Sequence, residues 1–385
     1  MNDTQTSKIR PLSSLLFLLL LGQVVHSRLH EPQRELLEHD LRIPVPEDNG
    51  HVASSDLIPS LDDTIELGRF SSLIYAFKSQ NAHNCSAFDS IFHTFTSYHT
   101  NNNPNLFHHH HHHHHSSSSY PAPLADSNYT CHLFKRNEQD TQVLVVSRTH
   151  PIPSYNYVAI VYAGTDDFRN ALTDTNIRTK VFGPQPEDYE GADDDDDGDD
   201  EDDNHGDEYQ PFVSSDIRVH AGFNNAVFKH GLYPEIRDTV LTIQEQLPSI
   251  RIVTTGHSLG AADAILTAVA LKVDLAKRVT PNATHTSPLD YHYNSTQSIV
   301  SLNFGSPKTG NGPWRKFVNS IPGLGIWRMV RGVDLVPRMP GMRFHHVGHT
   351  VQLDSKGAGA YWLHNGDHDL GYRGVPFGWN STFSF

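Results

Sequence analysis

Short β-branched strands alternating with amphipathic helices predict an α/β fold, with a mostly parallel central sheet and helices on both faces. Three stretches carry this prediction. Tyr157-Val158-Ala159-Ile160-Val161 is apolar at every position, as a central strand covered on both faces must be. Leu232, Ile236, Val240, Ile243 and Leu247 form a helical stripe ended by Pro248. Ile250, Ile252 and Val253 then begin a buried strand. It runs into Gly256-His257-Ser258-Leu259-Gly260, behind which Ala262, Leu266, Val269, Ala270 and Val273 recur at helical spacing.

Taken from its start, the 385-residue chain opens with Lys8 and Arg10 ahead of the leucine-rich run Leu12 to Leu21. Val25-His26-Ser27 then places small residues where signal cleavage needs them. Residues 1–27 are expected to be a secretory signal peptide, with an uncleaved anchor as the alternative. The run is short for a bilayer span, and no later apolar run reaches that length, so no transmembrane span is expected after cleavage. Residues 28–60 are polar and proline-punctuated, an arm or a propeptide. From residue 61 to 385 one domain is expected, and Ile65, Leu67, Phe70, Leu73, Ile74 and Phe77 mark its first helix.

Two insertions interrupt that domain. Residues 101–120 hold an Asn/His/Ser-rich tract with eight consecutive histidines, and residues 183–211 hold a run of aspartates. Neither composition can build a packed core, so both read as disordered surface loops. Weak metal binding is the alternative, but the acidic run lacks the D-x-[DN]-x-[DN]-G spacing of a calcium loop. The acidic run supplies most of the formal net charge of −15, and nothing basic enough for nucleic acid is present.

Cys85 and Cys131 are the only cysteines and fit one disulfide in an oxidising compartment, closing the base of the first insertion. Five N-x-[ST] sequons follow the signal, at Asn84, Asn128, Asn282, Asn294 and Asn380. Signal, paired cysteines and sequons together point to secretion.

Further strands are expected at Gln142–Ser147, Ile299–Phe304 and Ile326–Val330. Val219-His220-Ala221-Gly222-Phe223 opens a long helical pattern that continues through the Leu232 stripe. The strand from Tyr157 ends in Ala163-Gly164-Thr165, where an N–H and a hydroxyl are available to an oxyanion.

The G-x-S-x-G between strand and helix has a chemical reading. A nucleophilic serine must stand at a sharp, strained turn, so its neighbours must lack side chains. The helix N-terminus then directs free N–H groups at developing negative charge. Such a serine needs a base, and the base needs an acid that fixes its tautomer. In chain order Ser–Asp–His, Asp334 follows a strand and is the leading acid, ahead of Asp354 and Asp290. The histidines after Asp334 are His345, His346, His349, His364 and His368, and the residues alone leave the base open between His364 and His368.

These motifs together resemble the class 3 lipases, the family that includes the fungal triacylglycerol lipases. The resemblance runs from about Asp63 to Tyr372, apart from the two insertions. Ile160-Val161-Tyr162-Ala163-Gly164-Thr165 is similar to the family's oxyanion strand. Val219-His220-Ala221-Gly222-Phe223 is similar to its H-x-G-F, and Gly256 to Gly260 to its G-H-S-L-G. Phe304 to Asn311 is similar to its F-G-S-P-x-x-G-N, Asp334 to Pro337 to its D-x-V-P, and Phe344 to Gly348 to its F-x-H-x-G. Asp367 to Tyr372 resembles the segment with the catalytic histidine.

The resemblance implies an α/β-hydrolase fold with a lid, and a secreted carboxylic ester hydrolase of the triacylglycerol lipase kind. It implies Ser258 as nucleophile, His368 as base and Asp334 as acid. Leu259 and Thr165 would form the oxyanion hole, with no metal or organic cofactor and a lipid or ester at an interface as substrate. Alternatives on the same fold are a phospholipase A1, a soluble-ester esterase, or a non-catalytic lipid-binding protein. Two departures stand out. Alanine occupies position 163, where the family usually has arginine. The lid region, Phe168 to Phe182, runs into the acidic tract. Phe168, Leu172 and Ile177 would form its apolar face, and the acidic neighbour would favour neutral lipid over anionic surfaces.

Overall fold

The apolar run from Tyr157 becomes a strand buried at every position, and the rest of the fold is laid down on either side of it. The computed structural model describes residues 57, 59, 61–79, 84–92, 127–137, 140–164, 178–185, 213–229, 232–279, 297–331, 334–341 and 343–353. In chain order these form helix α1 (Leu61–Ser79), strands β1 (Asn128–Arg136), β2 (Gln142–Thr149), β3 (Tyr157–Tyr162), β4 (Thr179–Val181) and β5 (Arg218–His220), and helices α2 (Ala221–Phe228) and α3 (Leu232–Gln246). Then follow β6 (Arg251–His257), α4 (Leu259–Val279), β7 (Ile299–Phe304), α5 (Gly312–Asn319), β8 (Leu324–Arg331) and β9 (His349–Leu353).

Seven strands make the main sheet in the order β1-β2-β3-β6-β7-β8-β9. The β1–β2 and β2–β3 pairs are antiparallel, and every pair from β3 to β9 is parallel. This is the mostly parallel sheet that the alternation of strands and helices predicts. With helices on both faces it is the α/β-hydrolase architecture. Successive side chains of a strand point to opposite faces, so β3 feeds two cores. Val158, Ile160 and Tyr162 pack with Phe223, Ile236, Leu266 and Trp314 from helices α2 to α5. Tyr157, Ala159 and Val161 pack with Leu67, Phe70, Leu73, Ile74 and Phe77 of α1. No helix among the described residues is long and apolar enough to cross a membrane.

Several elements depart from the sequence expectation. The long helix expected from Val219 is instead a strand and two helices. Pro234 explains the second start, because a proline lacking its N–H is tolerated only in a first helical turn. Edge strands β1 and β9 carry no apolar signature: β1 is largely exposed and buries fully only Phe134. The end of the expected lid is core, since Thr179–Val181 pairs with β5 and Phe182 is fully buried against Phe228 and Trp314. Phe168, Leu172 and Ile177 lie outside the described residues. Gly183 to Gln185, assigned to the acidic insertion, belong to the framework: the Gly183 N–H donates to Asn224 Oδ1 and its carbonyl accepts from Asn224 Nδ2. The polar arm likewise reaches the core, where Leu57 is buried and its carbonyl accepts from Trp327 Nε1 at 2.7 Å. The rest of both insertions and residues 1–27 lie outside the described residues.

The expected disulfide is present, joining Cys85 to Cys131 of β1 across a separation of 46 residues. Asn84 is exposed, but its Oδ1 already accepts from the Ser86 N–H at 2.9 Å. Asn128 is exposed at the start of β1, and Asn282, Asn294 and Asn380 lie outside the described residues.

Helix α1 is fastened to the sheet by buried charge. Arg148 of β2 bonds Glu66 and lies 3.4 Å from Asp63, and its guanidinium sits 4.3 Å from the centre of the Tyr157 ring. Asp63 also takes two hydrogen bonds from Arg251 of β6, at 2.9 and 3.2 Å. Burial pushes the Glu66 carboxyl up, against the opposing pull of Arg148. Removing one partner of such a network strands the others without water. Arg148→Ala is therefore expected to lower unfolding free energy by about 3–5 kcal/mol, read from the urea midpoint.

Candidate active site

Strand β6 ends at His257 and α4 begins at Leu259, so Ser258 occupies the turn between them. Its φ is +60°, one of two positive values among described non-glycine residues, the other being Asp140. Left-handed backbone is costly for a residue with a Cβ, so the surroundings must hold it. The Ser258 N–H donates to the Phe304 carbonyl at the end of β7, and its own carbonyl accepts from Ala261 N–H. Leu259 is the first residue of α4, so its N–H is among those with no partner inside the helix.

The flanking glycines are set by contact distance. A Cβ on Gly256 would lie 2.3 Å from the Gly260 carbonyl oxygen. One on Gly260 would lie 2.6 Å from the Ala163 carbonyl and 2.6 Å from that of Tyr162. One on Gly164 would lie 2.7 Å from the His257 carbonyl and 3.0 Å from Ser258 Cβ. The end of β3, the turn and the start of α4 therefore meet backbone to backbone, which puts Ala163-Gly164 directly beside Ser258. Ala163, where the family pattern has arginine, is itself buried in this contact.

Asp334 follows β8 and is buried, 4% exposed. Its Oδ1 accepts from the Val336 N–H at 2.9 Å, which fixes the carboxyl at the mouth of the short helix Val336–Arg338. Strand order β6-β7-β8 puts it two strands from Ser258, roughly 10 Å at ordinary strand spacing. A histidine between the two would span that gap. Thr165, His364, His368, Asp290 and Asp354 lie outside the described residues.

The structure gives the other late histidines different work. His346 Nε2 donates to the Pro337 carbonyl at 2.6 Å, steadying the loop behind Asp334. Burial, then the nearby Arg328, Lys308 and Arg315 charges, hold its imidazole well below the ordinary value of 6.5. His349 stacks on Trp327 with ring centres 4.7 Å apart. The His345 N–H donates to the Gly310 carbonyl at 2.7 Å.

Several family-like motifs prove to be scaffold. His220 caps α2, its Nδ1 accepting from the Gly222 N–H, and its own N–H donates to the Thr309 carbonyl. Asn311 caps α5 through Trp314 N–H and also accepts from Arg218 N–H. Gly310 bridges to both Val219 and His345. These loops are knotted together beside the site.

Sequence reasoning missed Tyr75. It lies on α1 beside the apolar stripe, and its hydroxyl reaches the turn, 3.0 Å from both His257 Nδ1 and Gly164 N. An aromatic residue with a polar tip next to a buried stripe was the only signal.

Comparison with known proteins adds to this geometry. Residues 160–344 match the family model described as lipase (class 3). A secreted mono- and diacylglycerol lipase, LIP4, of Malassezia restricta is 35% identical over 132 residues, covering 34% of this chain and 37% of that protein. Phospholipase A1-IIbeta of Arabidopsis thaliana is 31% identical over 106 residues, covering 28% and 23%. The chain thus spans well under half the length of these relatives. Among solved structures, a Rhizomucor miehei triacylglyceride lipase aligns with a TM-score of 0.45 at 19% identity, covering 77% of this chain and 82% of that one.

Two outcomes follow from the geometry. Gly260→Ala must displace the Tyr162–Ala163 backbone, so a loss of about 1–3 kcal/mol is expected in denaturant unfolding, together with loss of any Ser258 reactivity. The second concerns pH. His132, His220 and His346 all have folded values pushed below 6.5, chiefly by burial. The unfolded chain therefore takes up protons first as pH falls. Stability is full above about 6.5 and declines below it, by up to about 1.4 kcal/mol per pH unit for each such proton. His346→Gln keeps a donor for Pro337 and should make the decline in melting temperature from pH 7 to pH 5 shallower.

Proposed function

We propose that this chain is a class 3 lipase, a secreted serine hydrolase that cleaves carboxylic ester bonds of acylglycerols. The observation that carries the reading is Ser258 at φ +60°, wedged between β6 and α4 with Gly164 against its Cβ. A strained serine at a helix N-terminus, beside a strand end stripped of side chains, is the arrangement that acyl transfer needs.

In this reading Ser258 Oγ attacks the ester carbonyl while His368 takes its proton. The tetrahedral oxyanion is held by the Leu259 N–H and by Thr165. His368 then returns the proton to the leaving alcohol, and the acyl group stays on Ser258. Water, deprotonated by the same histidine, releases the carboxylic acid. Asp334 fixes the imidazole tautomer and offsets its charge. Its own orientation is supported by the Val336 N–H bond.

Acylglycerol is the favoured substrate class, in keeping with the Malassezia relative, a mono- and diacylglycerol lipase. Phospholipase A1 action is the second reading, supported by the match to the Arabidopsis protein. Secretion is supported by the leader-like N-terminus and by the Cys85–Cys131 disulfide.

The test is hydrolysis of p-nitrophenyl esters from short to long acyl chains, then of mono-, di- and triacylglycerol and phosphatidylcholine. Ser258→Ala should lower kcat by more than about a thousandfold. Turnover of phosphatidylcholine above every glyceride would favour the second reading. A folded wild type inert on all of these would overturn both.

A further inference from the structure

We propose that Tyr75 is a positioning residue for this ester hydrolysis, holding the end of β3 in register with the nucleophile turn; the inference rests on the serine hydrolase reading. The β3–β6 ladder ends at the pair Tyr162 and Gly256. Beyond it the two chains part, one into Ala163-Gly164 and the other into His257-Ser258. The paired register stops there. The Tyr75 hydroxyl links the two chains beyond it: it accepts from the Gly164 N–H at 3.0 Å and lies 3.0 Å from His257 Nδ1. A phenol has lone pairs for the amide and a proton for an unprotonated imidazole nitrogen, so one group serves both sides. It also fills the space that a side chain at position 164 would need, 2.4 Å from the place of that missing Cβ.

Helix α1 is matched to this task in length. Its Asp63 is paired with Arg251 at the start of β6, and its Tyr75 with His257 at the end. The helix advances about 18 Å between Asp63 and Tyr75, and the strand about 20 Å between Arg251 and His257. The helix is thus a strut tied at both ends to the strand that presents Ser258. Tyr75 is its working end, because its hydroxyl reaches across to Gly164. Without the hydroxyl, the Gly164 amide loses this acceptor and the strand end is free to move against Ser258. Misplacement of about 1 Å near the reacting atoms is enough to cost about a hundredfold in rate.

The experiment compares wild type, Tyr75→Phe and Ser71→Ala, using a short p-nitrophenyl ester and labelling of Ser258 by a fluorophosphonate. Tyr75→Phe keeps the ring and removes only the hydroxyl. Ser71→Ala removes a buried hydroxyl from the same helix, one that bonds only the Gly68 carbonyl. Expected for Tyr75→Phe is a kcat lowered about ten- to a hundredfold, with KM within about twofold and labelling slowed in parallel. Ser71→Ala should keep the wild-type kcat. A Tyr75→Phe that turns over and labels like wild type overturns the inference while leaving the hydrolase reading intact. Equal losses in both variants would also overturn it, since they would mark a general effect of the helix. A wild type that neither hydrolyses nor labels removes the hydrolase reading and the inference with it. Amide exchange gives a check independent of whether the variant folds. The Gly164 N–H should be protected in wild type, and exchange at open-chain rates would overturn the proposed bond.

Discussion

Holding a serine at φ +60° costs about 1–2 kcal/mol relative to ordinary backbone, and around Ser258 three backbone segments close to distances that exclude a Cβ. Strain and close approach are one constraint here. The turn is sharp because α4 must start at once, and α4 is able to start at once only because Gly256 and Gly260 let it pass β6 and β3. The hydrogen bond from Ser258 N–H to Phe304 anchors the turn to the next strand. The sheet beneath is buried on both faces, which keeps those strand ends from relaxing. A rigid two-sided core is thus what makes a strained serine tolerable.

Buried charge plays the complementary part. Asp63, Glu66 and Arg148 are expensive to remove from water, and with the half-buried Arg251 they sit between α1 and the strands β2 and β6. A hydrophobic contact alone would let the helix slide along the sheet. Directional pairs at one end and the Tyr75 hydroxyl at the other specify its register. The same helix also buries Leu67, Phe70, Leu73, Ile74 and Phe77, so affinity for the sheet and register on it come from different residues.

The motifs that signal the family divide by role. Gly256 to Gly260 and Asp334 form the candidate site, whereas His220, Gly310, Asn311 and His345 stitch loops to one another. His346 belongs with the stitching: its Nε2 holds the Pro337 carbonyl and its Nδ1 is shut away from solvent.

Sequence by itself determined the fold class, the central strands, the strand-to-helix turn at Ser258 and the cysteine pair. Each of these is a local pattern: an apolar run, a helical stripe, a glycine–serine spacing, two cysteines and no more. The edge strands β1 and β9 stayed hidden because a strand exposed on one side has no apolar run to show. The break after α2 was obscured because two helices in succession share one hydrophobic period. Phe182 passed for lid because the family resemblance places a lid after the oxyanion strand, whereas its neighbours in space are Phe228 and Trp314. Tertiary structure alone decided which hydroxyl meets Gly164 and His257, since Tyr75 and His257 are 182 residues apart and nothing in either local sequence points to the other. Contacts of that kind come from the register of a helix on a sheet, a property of packing that no local pattern encodes.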